Sequence, residues 1–346
     1  MRTRLLFRIA ALVALVAYHV NAEPFILYLT ASTGTIQKSD DGLTWTAYVS
    51  GFGTQRLRGI TTDNNGNVIF INRDGGTGDA DRPVYAYTPA GTYITNTIAD
   101  TTSLFNLTPL GYFKGYVYLS SGSGGGGEDK SSSWDGSVFG SYPFAVALAS
   151  GWQANDMCFV TYDGTDYQFV NGTSGTLLRR RTVVGDGTLA NQTYVTNIPS
   201  SGSLPDYFSD LAITPNRRLV LLGQGTGTTS SNGIWVSDAG VMPALNSVTV
   251  TLAFAFSATE TPDTGNMGQN ARDMVLVGTN IYAISNTRCY RYILNDDLGT
   301  VTYVTNALHG FNQANSQVAV FIVPEPLMAG VVALFGLAFI RRRKAF

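Results

Sequence analysis

Histidine is nearly missing: the 346 residues hold two, His19 and His309. His19 lies in an N-terminal stretch read below as a removable leader. A zinc centre built from several imidazoles is therefore excluded. A Ser-His-Asp triad could rest only on His309, in the segment Leu308-His309-Gly310-Phe311-Asn312, where no nucleophile elbow stands nearby. A structural loop histidine is the plainer expectation. Cysteine is as scarce, with Cys158 and Cys289 alone. Two cysteines make no disulfide framework, and the repeats described below place them in non-adjacent units, so two buried free thiols are expected. A helical period sustained over three turns is also lacking between Glu23 and Val323. The glycine-rich run 121–127 has no Gly-Lys-Ser/Thr and no helix pattern after it, which excludes a phosphate cradle and leaves a loop.

Charged residues make up 13% of the chain. Outside the two ends, 15 basic residues face 23 acidic ones, a net charge of −8. Such a surface does not condense on nucleic acid or anionic lipid, and suits cations, neutral glycans or basic partners.

The ends are distinctive. Arg2, Arg4 and Arg8 flank and precede an apolar run from Ile9 to Ala17, and Val20-Asn21-Ala22 supplies small residues before Glu23. This is the layout of a secretory signal peptide, residues 1–22, with a helical apolar centre too short to span a bilayer. At the other end Pro324-Glu325-Pro326 precedes 14 uncharged residues, Leu327 to Ile340, and then Arg341-Arg342-Arg343-Lys344. The apolar segment has no polar face, so it does not read as an amphipathic helix packed on a domain. The basic cluster resists translocation. In this order, residues 323–346 resemble the PEP-CTERM sorting signal. The resemblance implies recognition by an exosortase at the inner membrane, transient residence there through a hydrophobic sorting helix, cleavage near Pro324-Glu325-Pro326, and display on the cell surface or release into extracellular polysaccharide.

Between the ends, residues 23–322, strand-like runs rich in Val, Ile, Tyr, Phe and Thr alternate with Gly, Asn and Asp clusters, an antiparallel all-β pattern. Five stretches look alike: 58–71, 103–119, 156–170, 210–222 and 273–284. Each reads as a strand, a tight turn and a second apolar strand, followed by weaker strands. Four strands about every 50 residues is the period of a propeller blade. Residues 24–48 supply three more strands and 317–322 one, so a sixth blade closes between the termini. A six-bladed β-propeller is the expectation, with seven blades as the alternative.

Asp40, Gly42, Thr44 and Trp45 resemble the Asp-box hairpin of sialidase-like propellers. There the aspartate caps turn amides, the glycine takes positive φ and the tryptophan packs beneath. The motif implies a blade, not sialidase activity. Arg179-Arg180-Arg181 reads as a solvated basic edge. Trp134 and Tyr142 are candidates for stacking on sugars or for packing between blades.

Aligning the five hairpins puts Arg58, Ser103, Asp156, Asp210 and Asp273 in one column at a channel mouth. Asp156, Asp210 and Asp273 could hold Ca²⁺, or could simply bond turn amides. Some six-bladed lactonase-type propellers resemble this arrangement. No convergent nucleophile, acid and base are visible, so no catalytic residue is assigned. The reading is an exported, non-catalytic binding or scaffold propeller, with a metal-dependent hydrolase or lactonase as the alternative.

Overall fold

The structure is a computed structural model. It describes residues 25–30, 34–72, 82–98, 110–120, 128–140, 144–147, 154–172, 178–195, 205, 207–224, 232–242, 247–256, 272–311 and 317–323. Residues 1–22, Pro324, Glu325, Pro326 and Arg341 to Arg343 lie outside these residues. No helix among the described residues is long and apolar enough to cross a membrane.

The strands run in chain order. β1 (Phe25–Thr30), β2 (Ile36–Ser39) and β3 (Thr46–Val49) come first, then β4 (Leu57–Thr62), β5 (Val68–Asn72), β6 (Arg82–Tyr87) and β7 (Tyr93–Ile98). β8 (Leu110–Phe113), β9 (Tyr116–Ser120), β10 (Glu128–Ser133) and β11 (Phe144–Ala147) follow, then β12 (Ala154–Tyr162), β13 (Thr165–Gly172), β14 (Leu178–Val183) and β15 (Leu189–Val195). The last are β16 (Tyr207–Ile213), β17 (Leu219–Gln224), β18 (Gly233–Ser237), β19 (Val250–Ala255), β20 (Asp273–Val277), β21 (Asn280–Ile284), β22 (Arg288–Asn295), β23 (Thr300–Leu308) and β24 (Gln317–Ile322). They form six four-stranded antiparallel sheets. Five sheets take consecutive strands. The first blade joins β24 to β1, with Phe25 opposite Ile322 and Thr30 opposite Gln317, so the two ends of the ring close on each other.

A single four-stranded sheet cannot cover both its faces; stacking in a ring does. Six hydrophobic clusters result, one at each junction between neighbouring blades. Leu27, Leu29, Ile284 and Phe311 fill the junction of the sixth and first blades. Tyr28, Ile36, Val68 and Phe70 fill the next.

Turn chemistry explains the hairpins. Asp163-Gly164 and Lys114-Gly115 take positive φ at both central positions, as a two-residue hairpin turn matched to strand twist requires. The second pair corrects the reading of the repeat at 103–119, in the third blade. Its described hairpin is Leu110–Phe113 with Tyr116–Ser120; Ser103 lies outside the described residues. Lysine is rare at positive φ, so this turn carries little sequence signal.

Side chains also fasten blades to one another. Asp63, buried at the β4–β5 turn, accepts from Asn65 N (2.9 Å), Asn67 N (2.8 Å), Asn67 Nδ2 (2.6 Å) and, from the next blade, Trp134 Nε1 (2.7 Å). Arg218 at the β16–β17 turn donates to the carbonyls of Asp296 (2.6 Å) and Asp297 (2.7 Å) in the sixth blade. Trp134 is therefore an inter-blade residue, 3% exposed, and not a sugar platform. Tyr142 lies outside the described residues.

Candidate functional site: the carboxyl mouth of the channel

The inner strands β4, β8, β12, β16, β20 and β24 line a central cavity of about 400 Å³. Consecutive residues of each strand, such as Val318, Ala319 and Val320, border it, so its wall is strand edge. An inner edge leaves backbone groups without a ladder partner, and these need acceptors and donors from elsewhere.

Asp156, Asp210 and Asp273 supply acceptors. Each stands near the start of its inner strand, and a β-bulge precedes Asp156 and Asp210. Bulges re-aim side chains at strand ends. The three groups offer oxygens within 4.8 Å of one another, so the column expected from sequence does converge. Asp210 Oδ1 accepts from Leu211 N and Oδ2 from Met274 N. Asp273 Oδ1 accepts from Met274 N (3.1 Å) and Oδ2 from Val318 N (2.7 Å). Asp156 accepts from the amides of Met157 and Leu211. The rule is uniform: each carboxyl takes its own following amide and the equivalent amide of the next blade.

Gln317 extends the rule, and sequence reading missed it. It occupies the same position on β24, and its Oε1 accepts from Gly59 N on β4. Aligning Gln317-Val318 with Asp273-Met274 would have found it. Arg58 holds the corresponding place on β4 and is buried. Thr62 adds a further tie across the same junction, its hydroxyl donating to the carbonyl of Val320 at 2.7 Å.

Three carboxyls so close, Asp210 and Asp273 buried and Asp156 half-buried, cannot all ionise without cost. Burial, then the Asp156 and Asp273 carboxylates, hold Asp210 well above the usual carboxylate range. Burial pushes Asp273 up to about 7, against the opposing hydrogen bonds of Asp210, Val318 and Met274. Burial also raises Asp156, which Asp210 partly offsets. Asp210 is thus the proton holder, its single O–H donating to Asp156 or to Asp273 at any one time. Calcium asks for six to eight oxygens at about 2.4 Å. Here both oxygens of Asp210 and of Asp273 already face amide donors, so the set fits an inter-blade tie better than a cation cage.

The remaining sequence candidates settle as follows. In the turn after β2 the capping carboxylate is Asp41, not Asp40. Asp41 Oδ1 accepts from Leu43 N and Thr44 N at 2.7 Å and from Ser39 Oγ at 2.9 Å. Asp40 is exposed. One residue of slip in a run of two aspartates is invisible to composition. Gly42 has φ +73°, and a Cβ there would lie 2.4 Å from the Tyr282 ring of the sixth blade, so glycine is required. Trp45 packs against the core of that junction.

Arg179 and Arg181 are buried, which corrects the solvated edge. Arg181 donates through Nε and Nη2 to Gln192 Oε1 at 3.1 and 2.6 Å, and Arg180 lies 5.9 Å over the Tyr167 ring. Strand alternation sends Arg179 and Arg181 to one face, here an inner one. His309 is buried as well. Its Nε2 meets the Ser285 carbonyl at 3.1 Å and its Nδ1 accepts from Phe311 N at 3.3 Å. Cys158, bordering the channel, and Cys289 are both free, and burial raises both thiols.

The fold and this mouth define a six-bladed β-propeller. Neither a family model nor a curated protein sequence matches the chain. Solved structures of similar shape include a chain of the nidogen/laminin complex, with 11% identity and TM-score 0.56, over 86% of this chain and 98% of that one. A periplasmic gluconolactonase of Pseudomonas aeruginosa is 13% identical with TM-score 0.54, over 86% of this chain and 100% of that one. A protein of unknown function from Bacteroides caccae is 10% identical with TM-score 0.53, over 86% and 99%. At such identity the likeness concerns the fold alone.

Proposed function

We propose that this chain is an exported propeller, sorted by its C-terminal tail through an exosortase to the cell surface or extracellular matrix, where it serves as a non-catalytic binding or scaffold module. The observation that carries the non-catalytic reading is the engagement of the channel acids. Their oxygens hold neighbouring blades together, and the only histidine of the ring uses both nitrogens in its own junction. A second reading, a hydrolase with a channel Ca²⁺, is favoured by the convergence of Asp156, Asp210 and Asp273.

Calcium titration with thermal unfolding at pH 7.5 separates the two. The scaffold reading expects the midpoint to stay within about 1 °C up to millimolar calcium. A rise of roughly 5 °C or more, lost in Asp210→Ala, would install the metal reading, since a ligand at 100 times its Kd adds about 2.7 kcal/mol. Sorting is tested separately. Replacing Pro324, Glu325 and Pro326 together by Ala should leave an uncleaved precursor in the membrane fraction of a host with an exosortase. Normal processing of that variant would refute the sorting assignment.

A further inference from the structure

We propose that the outer edge of the sixth blade, β23, is a homotypic interface at which two copies of this chain pair antiparallel about a two-fold axis at Val304. The inference goes beyond the functional reading and does not depend on it.

The outer strands carry the first observation. β3, β7, β11, β15, β19 and β23 contain no Asp, Glu, Lys, Arg, His or Pro. Exposed strand edges present unpaired backbone groups, which β-proteins guard with charges, prolines and bulges, and of these guards β23 carries only a bulge. In a ring of net charge −8 these uncharged edges are where like copies meet with least repulsion. An unpaired strand edge recognises another strand, through main-chain hydrogen bonds.

β23 is singled out by a second, independent observation. At nine residues it is the longest of the six edges. Among the described residues, β23 with its flanking turn and neighbouring strand also carries four of the nine exposed large apolar side chains: Leu298 at the preceding turn (72% exposed), Leu308 (62%), Val304 (41%) and, on β22 opposite Thr302, Ile293 (41%). Apolar residues clustered on one edge mark an interaction surface, whereas scattered ones need no explanation.

The register follows from the bulge and the charges. Val304 is the extra residue opposite the Arg291–Tyr292 step, and it divides the edge into Thr300–Tyr303 and Thr305–Leu308. An axis at Val304 sets each half against the other half of the second copy, with both bulges together. This antiparallel register brings the Arg288 end of one copy toward the Asp296-Asp297 turn of the other, basic end to acidic end. Such an interface is isologous and closes at two copies.

The test uses the full chain, exported with its own leader and recovered in mild detergent. Val304→Cys should give a disulfide-linked dimer on a non-reducing gel that a reductant dissolves, because the two thiols meet at the axis. Thr46→Cys, exposed on the edge β3, should give none. Val304→Lys sets two like charges at the axis and should weaken the dimer at least tenfold by sedimentation velocity, with unchanged circular dichroism. A chain that sediments as a monomer at tens of micromolar overturns the proposal, as does cross-linking through Thr46→Cys equal to that through Val304→Cys.

Discussion

Asp210→Asn is expected to raise the unfolding midpoint at pH 7.5 and to flatten its dependence on pH. In the wild type the carboxyls of Asp210 and Asp273 hold protons more tightly folded than unfolded, because burial and mutual repulsion raise both. The sign is thus opposite to that of a salt-bridged aspartate. The folded ring binds excess protons above about pH 4, so stability falls as pH rises, through about 7 for Asp273 and beyond for Asp210. Each excess proton costs about 1.4 kcal/mol per pH unit. Asparagine supplies a neutral oxygen for Met274 N, while Leu211 N keeps Asp156 as an acceptor. Gln317 already does the equivalent at the β24–β4 junction with a neutral amide. Thermal unfolding between pH 5 and 8 should show the variant gaining several degrees over wild type at the alkaline end and little at pH 5. Asp210→Ala, which leaves Met274 N without its closest acceptor, should lose stability at every pH by about 1–3 kcal/mol. An asparagine variant less stable than wild type at pH 8 would reject the proton-holding account.

Asp63→Ala should be the most damaging single change away from the channel, lowering stability by about 3 kcal/mol or more. It strips acceptors from three buried donors at once, two in its own turn and the Trp134 indole of the next blade. Asp63→Asn should rescue little. The indole and the Asn67 side-chain amide donate to Oδ2 while the Asn65 and Asn67 backbone amides donate to Oδ1, so the new amide nitrogen would face donors whichever way it points. A midpoint fall of roughly 5–10 °C is expected for alanine. A loss no larger than that of Asp135→Ala, an exposed turn aspartate, would show that the clamp contributes nothing beyond a local cap.

The ring was legible in the sequence because its signals are local and repeated. Asp163-Gly164 announces a hairpin, and Gly233–Ser237 is an uninterrupted apolar strand bounded by turns. The closing strand Gln317–Ile322 was legible as one apolar run with no partner of its own, which only circular closure satisfies. Legibility failed where the deciding interaction is non-local or a neighbouring residue competes. Lys114-Gly115 turns without the usual residues, so the third hairpin slipped toward the chain start. Asp40 and Asp41 are equivalent on paper, and backbone geometry alone assigns the cap to Asp41. Arg179 and Arg181 look like surface charges, but the folded ring buries both, Arg181 against Gln192 of its own sheet. At the mouth, the acids' positions and their bonding of nearby amides were readable, but the second bond of each was not, since that amide belongs to the next blade.

The closure of β24 on β1 also sets a direction in space. β24 begins at Gln317, beside the carboxyl mouth, and ends at Ile322, paired with Phe25. Whatever follows Val323 therefore departs from the far rim, and the approach to Phe25 lies at that same rim. A ring tethered by its C-terminal side would stand with its carboxyl mouth turned away from the attachment, facing the medium, like a cup held by its base.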